Sequence, residues 1–153
     1  MANYIFHKDL EVAQQTEEAV AAVLSKMSNT TIVSLNNNRD YDILLERKGR
    51  NFFIEVKEDF MAAKTGNIAV EFECRGKPSG IAVSKSDVYA YVIHENTKAE
   101  LYLTDVNLLK EAIDRGRYSR IATGGDRGSN TRMFLFRKDV FTGFSKKVHE
   151  FKK

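Results

Sequence analysis

The chain has 153 residues, room for one domain with a proper core, and its 42% hydrophobic and 29% charged residues exclude a disordered tract. No apolar run reaches the length of a membrane span, residues 1–9 carry no signal-peptide core, and the single cysteine, Cys74, excludes an internal disulfide or a cysteine-rich zinc site, so a reducing cytoplasmic location is expected. A net charge of +3 announces no general polyanion binder; a nucleic-acid surface would have to be a local patch.

Leu10 to Met27 is predicted as a helix, with Asp9 as N-cap and Ser28-Asn29 as its stop. Centring the buried stripe on Val20 places Ala13, Thr16, Val23, Leu24 and Met27 within the apolar arc. Glu17 falls inside the same arc, whereas Glu18 points away. Ile32 to Leu35 is a short strand, and Asn36-Asn37-Asn38-Arg39 a polar loop.

Asp40 to Glu46 and Asn51 to Lys57 then flank Arg47-Lys48-Gly49-Arg50, a hairpin turn with glycine where a positive backbone angle is useful. Ile68 to Cys74 alternates as another strand, and Lys77-Pro78-Ser79-Gly80 is a loop. Val88 to Ile93 and Glu100 to Leu103 form a second hairpin. Thr104 is expected to cap a helix over Asp105 to Arg115, ended by Gly116. A glycine-rich loop, residues 123–130, precedes a strand from Met133 to Phe136. The order describes one α/β or α+β domain over residues 1–153.

The stretch Phe52-Phe53-Ile54-Glu55-Val56-Lys57 carries the chemistry. Alternation puts Phe52, Ile54 and Val56 on a core face, and Phe53, Glu55 and Lys57 on the other. A loop symmetric about Lys48 and Gly49 sets Leu45 opposite Phe52, Ile43 opposite Ile54 and Tyr41 opposite Val56, all apolar pairs. The other face then pairs Leu44 with Phe53, Asp42 with Glu55, and Asp40 with Lys57. Opposed residues sit about 4.5–5.5 Å apart at Cβ, where two carboxylates repel unless a cation lies between them. Magnesium takes hard oxygen ligands and keeps several waters, so one or two carboxylates and a substrate phosphate suffice, with Lys57 near enough to position or activate water. Asp40 rivals Asp42 for the role, although a loop or capping role suits its place beside the asparagines.

An Asp, a hairpin, then Glu-x-Lys after three apolar residues, preceded by a helix bearing a Glu, resembles the PD-(D/E)XK nuclease superfamily. Here those elements are Glu17, Asp42 and Glu55-Val56-Lys57. The runs Gly66 to Glu71, Ser79-Gly80-Ile81 and Asp87-Val88-Tyr89 are similar to small phage-encoded members, so that the likeness spans roughly residues 10 to 93. Tyr41 stands before Asp42 where the superfamily pattern has proline. The resemblance implies a restriction-endonuclease-like core, a central mixed β-sheet flanked by helices. It also implies Mg²⁺-dependent cleavage of DNA phosphodiesters, with Mn²⁺ as substitute, ligation by Asp42, Glu55 and the Val56 carbonyl, and Glu17 in support.

Beyond that reach, Arg120, Arg127 and Arg132 surround flexible glycines and are candidates for DNA phosphate contacts, with Lys64, Arg75 and Lys77 secondary. A two-fold homodimer, with Val88 to Ile93 as an apolar edge, would suit an enzyme cutting both strands. A catalytically silent nucleic-acid-binding module on the same fold is the alternative. Glu71 is balanced between surface and metal-shell roles. Cys74 is expected in the core, His7, His94 and His149 in surface or structural roles, and Ser84 and Ser86 in caps or turns.

Overall fold

The computed structural model describes residues 10–35 and 41–153, the first five as backbone only. Asp9, Asp40, the asparagine loop and His7 lie outside the described residues, and so does the side chain of Ala13.

Among the described residues, ten strands form two sheets. The first has the order β1-β2-β3-β6-β7-β10, built from Thr30–Leu35, Ile43–Arg47, Arg50–Asp59, Val88–His94, Lys98–Asp105 and Lys146–Lys152. Only β3 and β6 run parallel; the other neighbours are antiparallel, so the sheet is mixed. The second has the order β5-β4-β9-β8, from Lys77–Pro78, Asn67–Cys74, Thr131–Arg137 and Arg120–Gly124. Four helices accompany them: α1 (Leu10–Ser25), α2 (Ala62–Thr65), α3 (Val106–Asp114) and α4 (Lys138–Gly143).

Helix α1 covers one face of the first sheet. Its Ala19, Val20 and Leu24 are buried against Ile43, Leu45, Ile54, Ala90, Val92 and Leu101, the stripe expected from the 3.6-residue period. The opposite face, through Tyr89, Tyr91 and Ile93, packs on Leu109 of α3, Ile68 and Val70 of β4, and Phe136 and Phe141. Strand β6 is therefore covered on both sides, which explains its unbroken apolar run. It lies between β3 and β7, so Val88 to Ile93 is an interior strand and cannot serve as a dimer edge.

Lys48 and Gly49 both take positive φ, 54° and 78°, giving the two-residue turn whose twist matches the flanking strands. It enforces the register Ile43 to Ile54, Leu44 to Phe53 and Leu45 to Phe52, as expected. The cap of α3 is corrected by one residue. Asp105 Oδ1 accepts the Leu108 N–H at 3.1 Å, while Thr104 is buried with its hydroxyl 2.8 Å from that of Ser145. Elements α2, β8, α4 and β10 have no counterpart among those expected from the sequence, and the two residues of β5 fall in an expected loop. No helix among the described residues is long and apolar enough to cross a membrane.

Candidate functional site

Asp42 lies one residue before β2. Its N–H donates to the Ile54 carbonyl at 2.9 Å, from a bend where the regular ladder has ended. Its carboxylate oxygen Oδ2 accepts the Val56 N–H at 2.7 Å. The expected pairs Asp42–Glu55 and Tyr41–Val56 are not ladder pairs; instead these two bonds hold the Asp42 carboxylate on β3, where it feels the charge of Glu55. Lys57 turns back along β3 to form an ion pair with Glu55, whose side chain is 19% exposed against 36% for the lysine. The Lys57 ammonium also sits 5.6 Å from the Tyr89 ring centroid, a cation–π contact that fixes it at the wall of the inter-sheet space.

Helix α1 delivers Glu17 to the same place. Glu17 is half-buried and Glu18 exposed, as the stripe requires. Burial first, then the charge of Asp42 and a hydrogen bond donated to it, push the Glu17 pKa up to about 7. Burial also raises Asp42 above the ordinary carboxylate range, opposed by the Val56 N–H and reinforced by the charge of Glu55. Both carboxyl groups are thus pushed toward their protonated forms by burial and by a neighbouring carboxylate, Asp42 for Glu17 and Glu55 for Asp42. Glu17, Asp42, Glu55 and Lys57 come together from two elements about 25 residues or more apart in sequence. Among the described residues no three Asp, Glu, His or Cys side chains close into a metal cage.

Asp59, next on the same face, is not part of this group. Its Oδ1 accepts the N–H groups of Met61 and Ala62 at 2.9 and 2.8 Å, shaping the entry to α2. Asp87 holds the start of β3 from the other side, accepting the Phe53 N–H at 2.8 Å and donating its own N–H to the Phe53 carbonyl at 2.8 Å. From the sequence, Asp87 belongs only to the run Asp87-Val88-Tyr89 of the resemblance and has no role of its own. Its signal was position, one residue before a buried parallel strand.

Lys57 opens onto a cleft of about 460 Å³ between the two sheets, bordered by Arg75, Gly125, Ser129, Thr131 and Met133. The glycine-rich loop is its second wall. Gly125 has a φ of 83°, and a Cβ there would lie 2.6 Å from Thr131 Oγ1, so only glycine fits. Ser129 ties the loop down, its carbonyl accepting the Arg75 N–H at 2.7 Å and its hydroxyl lying 3.0 Å from that of Thr131. Cys74, expected in the core, instead lines this cleft, 3.7 Å from the Thr131 hydroxyl.

The expected basic patch divides. Arg120 pairs with Leu135 and Arg132 with Thr123. Leu135 and Arg132 are three residues apart on one strand, so the two arginines occupy opposite faces. Arg132 is further engaged by Glu73 at 3.8 Å and by the Phe72 ring at 5.2 Å. Arg127 is exposed on the glycine-rich loop, Arg75 borders the cleft, and Lys64 and Lys77 are exposed on α2 and β5. Glu71 also borders the cleft but is an exposed side chain. Ser84 accepts the Ser86 N–H at 3.2 Å, a turn. His94 is buried, with Nε2 2.9 Å from Glu58 and its ring stacked on Phe60; His149 packs edge-on against Phe151.

The chain matches no protein-family model, no curated protein and no solved structure.

Proposed function

We propose that the protein is a Mg²⁺-dependent nuclease hydrolysing DNA phosphodiester bonds, on a restriction-endonuclease-like core of the PD-(D/E)XK type. The observation that carries the reading is the Asp42 carboxylate held on the Val56 N–H within the field of Glu55, with Glu17 hydrogen-bonded to Asp42 and Lys57 ion-paired to Glu55. The donor set fits a hard divalent cation. Asp42 and Glu55 offer carboxylate oxygens, and the crowding of Glu17, Asp42 and Glu55, which raises the first two, is repulsion that a counter-ion would relieve. Asp42, Glu55 and the Val56 carbonyl would hold the ion, with Mn²⁺ as substitute, and the ion would supply Lewis-acid polarisation of the phosphate.

The side chains have distinct tasks in this reading. Asp42, fixed by its two bonds to β3, sets where the phosphate sits. Lys57, half exposed at the cleft wall, orients or deprotonates the attacking water and offsets charge on the phosphoryl oxygens. Glu17 takes or releases a proton at Asp42 and so adjusts the charge of the centre.

A second reading is favoured by one observation. The four side chains satisfy one another without a cation, through the Glu17–Asp42 and Glu55–Lys57 pairs. A non-catalytic nucleic-acid-binding module on the same fold would look the same. A cleavage panel of linear, circular, single-stranded and four-way-junction DNA, each with Mg²⁺, Mn²⁺, Ca²⁺ or chelator, separates the two. Cleavage in Mg²⁺ or Mn²⁺ that stops with chelator supports the enzyme; binding without cleavage of any substrate supports the module.

A further inference from the structure

The cleft beside Lys57 narrows the substrate. Phe53, Glu55 and Lys57 alternate onto one face of β3, so that they form a line leading to the cleft. Four residues of strand put Phe53 and Lys57 about 13 Å apart at Cα. At the outer end the Phe53 ring is 38% exposed, steadied by Tyr41 at a centroid distance of 5.1 Å. Asp87 holds its backbone on both sides. A ring anchored in this way and still open to solvent offers a stacking face. At the inner end the cleft holds about 460 Å³ between two sheets, in the range of a pocket that takes one small ligand, so it has room for a nucleotide and not for a stretch of base-paired helix. Its charges are mixed: Lys57 and Arg75 line it together with Glu58, Glu71 and Asp126. That balance does not suit a surface gripping many duplex phosphates, whose affinity rests on cations. It does suit a strand held by stacking and a few backbone contacts.

Resting on the nuclease reading, we propose that the strand at this centre is unpaired: its backbone passes Glu55 and Lys57, one base stacks on Phe53, and the following nucleotide enters the cleft beneath the glycine-rich loop. The ligand class is single-stranded nucleic acid, or an unpaired end of a duplex. Deoxyribose and ribose strands share this chemistry, and the test separates them.

Cys74 gives a direct readout, because it is the only cysteine and lines the cleft. Its reaction rate with a chromogenic disulfide is measured in Ca²⁺, with or without a 12-nucleotide DNA strand, the matching RNA strand, or the DNA duplex. Binding of each is followed in parallel by fluorescence anisotropy, and cleavage by gel in Mg²⁺. One of the single strands should slow the Cys74 reaction at least about fivefold and bind at least about tenfold tighter than the duplex. Phe53→Ala should weaken that binding about five- to hundredfold, the span of one base–aromatic stack. Val33→Ala, also at an exposed apolar residue, should leave it unchanged. Duplex binding as tight as single-strand binding, or single-strand binding that leaves the Cys74 rate untouched, overturns the proposal. If duplex is cleaved and single strands are not, the nuclease reading stands and the cleft assignment falls. Strand-protected Cys74 without metal-dependent cleavage of any nucleic acid keeps the cleft as a binding site and overturns the hydrolase.

Discussion

Asp42 Oδ2 accepts the Val56 N–H at 2.7 Å, so a carboxylate outside the last paired residue of β2 is anchored to the backbone between Glu55 and Lys57. The bond fixes Asp42 beside the motif even though β2 itself begins at Ile43. It also spends one carboxylate oxygen on the protein and leaves the other for Glu17 or a cation.

Removal of any member of the centre should abolish cleavage for a different reason. Asp42→Asn and Glu55→Gln keep shape and remove the anionic oxygens, and each should reduce the Mg²⁺-dependent rate to background. Lys57→Ala should lower it at least about a hundredfold, the low end of what a positioned proton-transfer group contributes. Circular dichroism should show all three folded. Rates equal to the parent protein, with contaminating nuclease excluded, would remove these residues from the chemistry.

Glu17 couples the centre to pH. Its folded pKa, about 7, lies above the ordinary 4.5, so the proton it holds favours the folded state. In chelator that contribution is fully present below about pH 4.5 and is lost as pH rises through about 7. Thermal melts should therefore show Mg²⁺ raising the Tm more at pH 8 than at pH 6, where the ion must displace the proton. Glu17→Gln should flatten the chelator-state dependence between these values and raise the Mg²⁺ required for cleavage. Glu18→Gln, at an exposed position, should change neither. Identical pH and Mg²⁺ responses in both variants would reduce Glu17 to a packing residue.

Binding should survive where cleavage does not. Ca²⁺ tolerates looser geometry than Mg²⁺ and should support nucleic-acid binding without cutting. Affinity should fall with salt, with a log–log slope of about −0.7 per phosphate contact on single strands and about −0.9 on duplex. Arg75→Ala and Arg127→Ala, at the cleft border and on its loop, should each flatten the slope by about one contact. Arg132→Ala should flatten it less, because Glu73 and Phe72 already engage that side chain. A slope altered only by Arg132 would relocate the binding surface to the face of the second sheet that carries Phe72 and Phe134.

Away from the site, Glu100 carries a test of the frame. Burial alone would raise its pKa, but hydrogen bonds from Lys147 at 2.7 Å and Lys138 at 3.2 Å overcome it and hold the carboxyl below the ordinary value. The stabilisation is present above about pH 4.5 and is lost as pH falls through the lowered pKa. Glu100→Gln should cost about 1–3 kcal/mol at pH 7 by denaturant titration. The cost should shrink below pH 4; a cost independent of pH would assign it to packing.

Local periodicity carried much of this protein in its sequence. The 3.6-residue stripe around Val20 turned Glu17 inward and Glu18 outward. The alternation of residues 52–57 and the positive angles available to Lys48-Gly49 set the register from Leu45 opposite Phe52 to Ile43 opposite Ile54, because a two-residue turn permits one register. Asp42, past the end of that ladder, is placed by its own side-chain bond to Val56. What the sequence left undecided depends on distant chain. Strand β10, Lys146–Lys152, is rich in charge, and only pairing with β7 makes it a strand; α4, with six residues, is too short to show a period. Arg120 and Arg132 looked like one patch until pairing through β9 separated their faces. Cys74 and the glycine-rich loop became cleft walls only when the second sheet packed across the first. Turns and alternation act over a few residues and can be read directly. The contact of Glu17 with Asp42 and the inter-sheet cleft arise from burial of apolar faces between elements, which local sequence does not encode.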